Sequence, residues 1–249
     1  MNGTVALLKK ELLEQWRTSK ILIIVLGFIL SGLQGPVVTK LLPEIIKSSS
    51  GSMQGIQITI PEQTALDAIL SYISQMAAFP SLIVILVVMG TLAGERERGT
   101  QVFVLTKPVS RIQFILAKYF SYLGIVVVAI ILTAVASGYY TLLLFSNSFS
   151  LGPFLVLNLG VIAYSSYILA LVAAGGVAFV GFLVIDNLVK LIPGWTGIFP
   201  QAVFSALDAR RIMTGETSPG NMVLPIIIGF VMAAVLIGLA CFSYEKREM

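Results

Sequence analysis

Between Lys118 and Asp186 the chain carries no charge: positions 119–185, 67 residues in a row, hold no Asp, Glu, Lys or Arg. A water-soluble fold has no use for such a stretch. A helix crossing a hydrocarbon core of about 30 Å needs roughly 20 apolar residues, because it rises about 1.5 Å per residue. The gap therefore holds at least two spans and most of a third. Composition agrees: 57% of the 249 residues are hydrophobic and only 11% are charged, against about 25% charged in soluble domains. Mean hydropathy is +0.96. The expected fold class is an all-α integral membrane protein, a single transmembrane domain over residues 1–249. No soluble segment is long enough to form an ATPase or a receptor domain.

Several function classes fall away at once. The chain has no histidine, so zinc and haem sites built on imidazole are excluded. Its one cysteine, Cys241, allows no intramolecular disulfide. The net charge of +4 comes from basic residues that flank apolar runs, which is the positive-inside pattern and not a nucleic-acid signal. No nucleophile has a plausible base nearby. The first apolar run lacks a clear small-residue cleavage site, so it reads as a span and not as a removable signal peptide.

The chain then divides into spans and connections. Residues 1–20 form an amphipathic helix in the membrane interface, with Val5, Leu8, Leu12 and Trp16 on one face and Lys9, Lys10, Glu14 and Arg17 mostly away from it. The six expected spans are 21–39, 70–93, 112–145, 154–172, 175–192 and 222–243. Gly35-Pro36 bends or ends the first, Pro80 kinks the second, and Ser146–Pro153 is a turn. Residues 40–66 read as a loop in which GIQITI at 55–60 alternates like a short strand. Residues 173–176, AAGG, are the hinge between spans four and five. In the loop after span five, WTGIFPQAVF is apolar enough to dip back into the membrane before Asp208, Arg210 and Arg211 return it to water.

Orientation follows from Lys and Arg. Lys9, Lys10, Arg17, Lys20, Arg96, Arg98, Lys107, Arg111, Lys118, Lys246 and Arg247 fall on one side; Lys40, Lys47, Lys190, Arg210 and Arg211 fall on the other. Both termini are therefore expected in the cytoplasm, with the two longer loops outside.

Charge at membrane depth is costly and marks candidate functional residues. Asp186 and Lys190 lie four apart on span five with Asn187 between them. They form either an outer gate or substrate contact, or a self-neutralised pair with Lys190 reaching to the interface. Asn158, Tyr164, Ser165, Ser166 and Tyr167 give span four a polar seam, and Gly229, Ala233 and Gly238 give the last span a small-residue face. Both read first as helix packing. Met53, Met213 and Met222, near the outer loops, are too scattered to make a Cu(I) site.

The one charged island inside the apolar sequence is Gly94-Glu95-Arg96-Glu97-Arg98-Gly99-Thr100, followed by Gln101–Thr106 and Lys107-Pro108-Val109-Ser110-Arg111. Pro108 stops a short helix, because the residue before proline avoids helical angles, and Ser110 can cap the next one. Val102, Phe103 and Leu105 supply apolar contacts. An ordinary cytoplasmic loop fits the same charges. The wording G-E-R-E-R-G-T, then K-P-V-S-R, then Lys118-Tyr119, resembles the ABC-2-type permease family, the membrane subunits of ATP-binding-cassette transporters. The layout is similar over nearly the whole chain.

That resemblance implies a cytoplasmic coupling helix within 94–111 that docks on separate ABC ATPase subunits. The residues matching the pattern are Glu95, Glu97, Gly99, Thr100, Pro108 and Arg111. Arg96, Arg98, Val102 and Phe103 belong to the same segment, and Arg111 and Lys118 would anchor the base of span three. It further implies a second copy of the chain, or a related permease, in a prokaryotic inner membrane, and transport in the export direction. No G-x-x-x-x-G-K-[ST] loop is present. The chain is thus expected to hold no cofactor, and ATP and Mg²⁺ would sit on the partner ATPase. Two other classes remain open: an ATP-independent channel or secondary carrier, and a membrane scaffold or sensor that recruits a cytoplasmic partner.

Overall fold

The structure is a computed structural model. It describes residues 3–50, 63–97, 111–145, 149–173, 204 and 206–246. Seven α-helices are seen among these: α1 (Gly3–Arg17), α2 (Lys20–Ser50), α3 (Ala65–Glu97), α4 (Arg111–Leu144), α5 (Leu151–Ala173), α6 (Ala206–Met213) and α7 (Val223–Lys246). A 3₁₀ turn at Pro219–Met222 leads into α7. The described residues contain no strand. Five helical segments are long and apolar enough to cross a membrane: Lys20–Ile46, Ala65–Thr91, Ile112–Leu144, Leu151–Ala173 and Pro219–Phe242. The expected span at 175–192 and the GIQITI segment lie outside the described residues.

The helices α2 and α3 run longer than the sequence suggests. The first span does not end at Gly35-Pro36; α2 continues through Pro36 and Pro43 to Ser50 and takes up half of the expected loop. Proline removes one backbone donor. In a spanning helix, side-chain hydroxyls and packed neighbours make up for it. Here that support falls to the neighbour: the Thr39 hydroxyl donates to the Gly35 carbonyl at 2.8 Å, whereas the carbonyl facing Pro36 is that of Gly32. The neighbour is α3. Gly27, Ser31 and Gly35 recur at four-residue steps on α2, and a Cβ added at Gly35 would sit 2.6 Å from the Tyr72 backbone nitrogen. Small residues at this spacing let two helices approach closely where lipid offers no hydrophobic drive for association. Gly27 faces Ile83 while Gly35 faces Tyr72, so α2 and α3 are antiparallel.

α3 starts at Ala65, where Thr64 caps it: the Thr64 hydroxyl and backbone N–H both donate to Asp67 Oδ2, at 2.7 and 3.0 Å. It passes through Pro80 and ends only at Glu97. Glu95, Arg96 and Glu97 are therefore the last turn of this helix, where a separate short helix was expected to begin.

α5 is the centre of the bundle. In an 18-residue stretch of its span 78% of residues are buried, against 28% in the matching stretch of the span that includes α7 and 33% in that of α2. Its polar seam packs helices together. Tyr72 OH donates to Asn158 Oδ1 at 2.6 Å, while Asn158 Nδ2 donates to the Phe154 carbonyl at 2.9 Å. The Tyr119 and Ser166 hydroxyls meet at 2.6 Å. Ser165, Tyr164 and Tyr167 are buried alongside them. Tyr72, Asn158, Tyr119 and Ser166 thus find partners inside the protein, as burial away from water requires.

Candidate functional site

The described charges sort to the two ends of this bundle. Lys10, Glu11, Glu14 and Lys118 meet at the end where α1 docks. Lys40 lies over the Phe145 ring, and Arg210 meets Asp67, at the far end. Thr91 on α3 pairs with Tyr122 on α4, so α3 ends and α4 begins at the α1 end. The end of α3 and the start of α4 are thus at the same end of the bundle as α1.

α1 is amphipathic in an unusual sense. Val5, Leu12 and Trp16, at 55%, 42% and 72% exposure, face away from the bundle. The face turned inward carries Leu7, Glu11 and Gln15, all buried. Leu7, Glu11 and Gln15 fall on one helical stripe because they are four apart. Burying a carboxylate is costly unless a cation meets it, and α4 provides one. Lys118 Nζ lies 3.1 Å from Glu11 Oε2, with the two side chains 6% and 2% exposed. One turn further, Gln15 Nε2 donates to Ser121 Oγ at 2.9 Å, and Ser121 Oγ donates to the Lys118 carbonyl at 2.9 Å. The Lys118 ammonium also sits 5.3 Å from the Phe114 ring centroid, a cation–π contact.

Lys10 links the buried pair to the surface. Its Nζ is 3.0 Å from Glu11 Oε1 and 3.0 Å from Glu14 Oε2. Partial burial alone would lower the Lys10 pKa, but the two carboxylates outweigh it and hold it above 10.5. Partial burial alone would raise that of Glu14, and the Lys10 ammonium outweighs it and holds it below 4.5. Both groups are charged across the neutral range.

Behind this junction the contacts continue inward. Thr91 gives its proton to the Val87 carbonyl at 2.8 Å, so Tyr122 is the donor in their 2.6 Å contact. Tyr119 reaches Ser166 on α5. The two tyrosines tie α4 to α3 and to α5, while Glu11 and Gln15 tie α1 to α4. The arrangement holds four helices in fixed register at one end. Among the described residues no group of three His, Cys, Asp or Glu gathers to hold a metal.

Of the residues expected to couple to a partner, Glu95, Arg96 and Glu97 form the end of α3 and Arg111 opens α4. Arg98, Gly99, Thr100, Val102, Phe103 and Pro108 lie outside the described residues. So do Asp186, Asn187 and Lys190 of the expected outer contact. Lys118, expected at the base of span three, is there and buried. Its partner Glu11 was not foreseen; an acid inside an amphipathic run looks like one more solvated charge.

A family model described as "ABC-2 family transporter protein" matches residues 5–185, from the first turns of α1 past the end of α5. The chain belongs to the ABC-2 family of transporter proteins. This ABC-2 protein is 28% identical over 175 residues to YxlG, an uncharacterized transmembrane protein of Bacillus subtilis (strain 168). The match covers 70% of the chain and 66% of the length of that relative. The chain's five helical segments long and apolar enough to cross a membrane suit a multi-pass member of that family. The α1–α4 junction lies wholly within the matched region.

Proposed function

We propose that this chain is the permease subunit of an ABC transporter. With a second membrane subunit, a copy of itself or a related permease, it would form the translocation path. A separate ATPase subunit would bind ATP and Mg²⁺ and drive export. The observation that carries the reading is the convergence at one end of the bundle. There α1 is fixed to α4 by Glu11 and Lys118, at the same end of the bundle as the end of α3 and the start of α4. A push on the segment joining α3 and α4 meets a braced platform, not a loose loop.

A cytoplasmic position for this end follows from the sorting of basic residues, and α1, with Val5, Leu12 and Trp16 outward, suits the interface there. A sixth span is supported by connectivity. Ala173 ends α5 at the α1 end, seven residues beyond Ser166, whereas Arg210 meets Asp67 at the far end. That change of end between Ala173 and Arg210 supports the expected span at 175–192. The dip of the following loop has its own support: the Phe204 ring packs edge-on against Tyr164 of α5 at 4.7 Å. Tyr164 is six residues, about 9 Å along the helix, deeper than Asn158.

The test is purification of the tagged protein from its native cells in mild detergent, followed by mass spectrometry of what co-elutes. A stoichiometric partner with a Walker-type nucleotide site is the expected result. Its absence from a folded sample would overturn the reading in favour of a channel or carrier, with Asp186, Asn187 and Lys190 as its first targets. Given the partner, Gly99→Pro, or reversal of Glu95 and Glu97 together, should uncouple ATP hydrolysis from an inserted subunit.

A further inference from the structure

Two glutamines lie inside the spans and face outward. Gln34 on α2 is exposed and Gln75 on α3 is half-exposed. Gln34 is six residues, about 9 Å, inside Lys40 along α2, and Gln75 is eight residues, about 12 Å, inside Asp67 along α3. Both carboxamides therefore sit at hydrocarbon depth. The Asn158 amide, by contrast, is bonded to Tyr72 and to the Phe154 carbonyl. Among the described residues neither glutamine side chain has a hydrogen-bond partner. The nearby Ser74 hydroxyl donates to the Ser71 carbonyl at 2.9 Å.

The two glutamines share one flank. Gly27, Ser31, Gln34 and Val38 recur on α2 at steps of four, three and four, which keeps them on one stripe. Gly27 faces Ile83 of α3, so this stripe runs along the α3 side of α2. Gly32, about 200° round the helix from Gln34, faces Thr133 of α4 instead. On α3 the matching stripe is Ser71, Gln75, Ala78 and Leu82, all exposed or half-exposed, while Tyr72, Ile73 and Met76 turn into the core. The stripes are level, because a Cβ on Gly35, next to Gln34, would meet the backbone of Tyr72 and Ser71. A polar centre of Gln34, Ser71 and Gln75 thus lies within an apolar surround that includes the exposed Leu30, Val38 and Leu82.

Lipid does not suit that centre. A polar group in hydrocarbon without a partner is costly, and acyl chains offer neither donor nor acceptor. A carboxamide carries both. It can therefore pair with a copy of itself, which is what a two-fold contact requires. Neither stripe carries a charge that would repel its copy. Ala78, small and exposed beside Gln75, lets a second helix approach closely.

We propose that two copies of this chain meet along the open flank of α2 and α3, with Gln34, Ser71 and Gln75 hydrogen-bonded across the two-fold axis. The contact rests on the two-subunit permease reading; it fixes the joining surface and makes the second subunit a copy and not a relative.

The experiment is disulfide cross-linking in native membranes, with Cys241→Ser as the background. Gln34→Cys, Gln75→Cys, and the two variants co-expressed are oxidised with copper phenanthroline and run on a non-reducing gel. At least one of the three should give a band at twice the chain mass that a reducing agent removes. Val135→Cys on α4 is the control. It is 66% exposed and two residues past Thr133, so it lies near the depth of Gln34 but turns away from α2. An equally strong band from the control would mean random collision and would overturn the interface. So would absence of the band from all three, or a cross-link to a different polypeptide. Gln34→Leu with Gln75→Leu supplies a second readout. It should weaken the detergent-purified dimer about threefold to tenfold in native mass spectrometry. Its monomer should melt as the wild type does, because neither side chain has a described partner within the chain. A dimer of unchanged strength would overturn the hydrogen-bonded contact. Co-elution of an ATPase is read separately: a cross-linked dimer without one would sink the transporter reading and leave the interface standing.

Discussion

At the end where α1 docks, one ion pair is out of reach of water: Glu11 and Lys118 lie 3.1 Å apart at 2% and 6% exposure. At the far end Asp67 and Arg210 are 3.8 Å apart, with side chains 28% and 58% exposed. The far half is held by other means, chiefly the close approach of α2 and α3 at Gly35 and the Tyr72–Asn158 hydrogen bond. The difference is between a brace and a seam. A buried ion pair has a defined geometry and a high penalty for losing one member. Exposed pairs and sliding small-residue surfaces tolerate rearrangement. Under the proposed function, the braced end is where force would enter and the looser end the one that would open.

The sharpest way to break this comparison is at Glu11. Glu11→Ala leaves the Lys118 ammonium buried beside a cavity and should destabilise the protein by about 3–5 kcal/mol, as should Lys118→Ala. Glu11→Leu with Lys118→Met replaces the pair by apolar groups of similar size. It should recover most of the stability, because neither charge is then left alone. Thermal unfolding in detergent reads all three. If the double variant were no more stable than the singles, the pair would not be the brace assigned to it.

The far half is tested at Gly35. A side chain there meets the Tyr72 backbone, which cannot rotate aside as a side chain can. Gly35→Val should cost about 1–3 kcal/mol by forcing α2 from α3. Gly90, with nothing within 4 Å of an added Cβ, is the matched control. Gly90→Ala should be neutral or slightly stabilising, since alanine is the better helix former. Equal effects at the two glycines would show that α2 and α3 are not closely packed.

Much of this was legible in the sequence, and the parts that were not share a cause. The charge-free run from 119 to 185 and the spacing of apolar stretches lead to the spanning helices, because hydrocarbon thickness constrains length directly. The apolar stripe of α1 and the packing role of Asn158 and Ser166 follow from periodicity. Helix ends were misjudged at Pro36 and Glu97. Proline usually stops a helix in water, whereas here the closely packed α3 supports α2 beyond Pro36, and Glu95, Arg96 and Glu97, good helix formers, continue α3. Glu11 was hidden because its meaning depends on Lys118, 107 residues away, and no local pattern encodes such a pairing.

A smaller effect is expected at Arg210. Its contact with Asp67 is long and more than half exposed on the arginine side, and such pairs contribute about 0–1 kcal/mol. Arg210→Ala should therefore change the melting temperature little, and raising the salt concentration should remove the difference altogether. Arg210 is the cleaner target of the two, because Asp67 also caps α3 through Thr64. A loss comparable to that of Glu11→Ala would erase the contrast between the ends.

The smallest expected effect lies in the pH dependence of the α1 surface, and its sign follows from Lys10 and Glu14. The Glu14 carboxyl is held below 4.5 in the folded protein, with partial burial opposing the shift and the Lys10 ammonium producing it. Its contribution is therefore present above pH 4.5 and is lost as the pH falls through the lowered folded value. Lys10 is held above 10.5, again against partial burial, by Glu14 and Glu11. Its contribution is present below pH 10.5 and is lost as the pH rises through the raised folded value. Between these limits neither group changes charge, so the attachment of α1 attributable to them should be flat from about pH 5 to 10. Both side chains are partly exposed, so solvent screening keeps the amplitude small. Hydrogen exchange of the α1 amides, compared between the wild type and Glu14→Gln, isolates the acid limb. The two should differ near neutral pH and converge well below pH 4.5. A difference that persists unchanged in acid would mean that Glu14 holds α1 by packing and not by its charge.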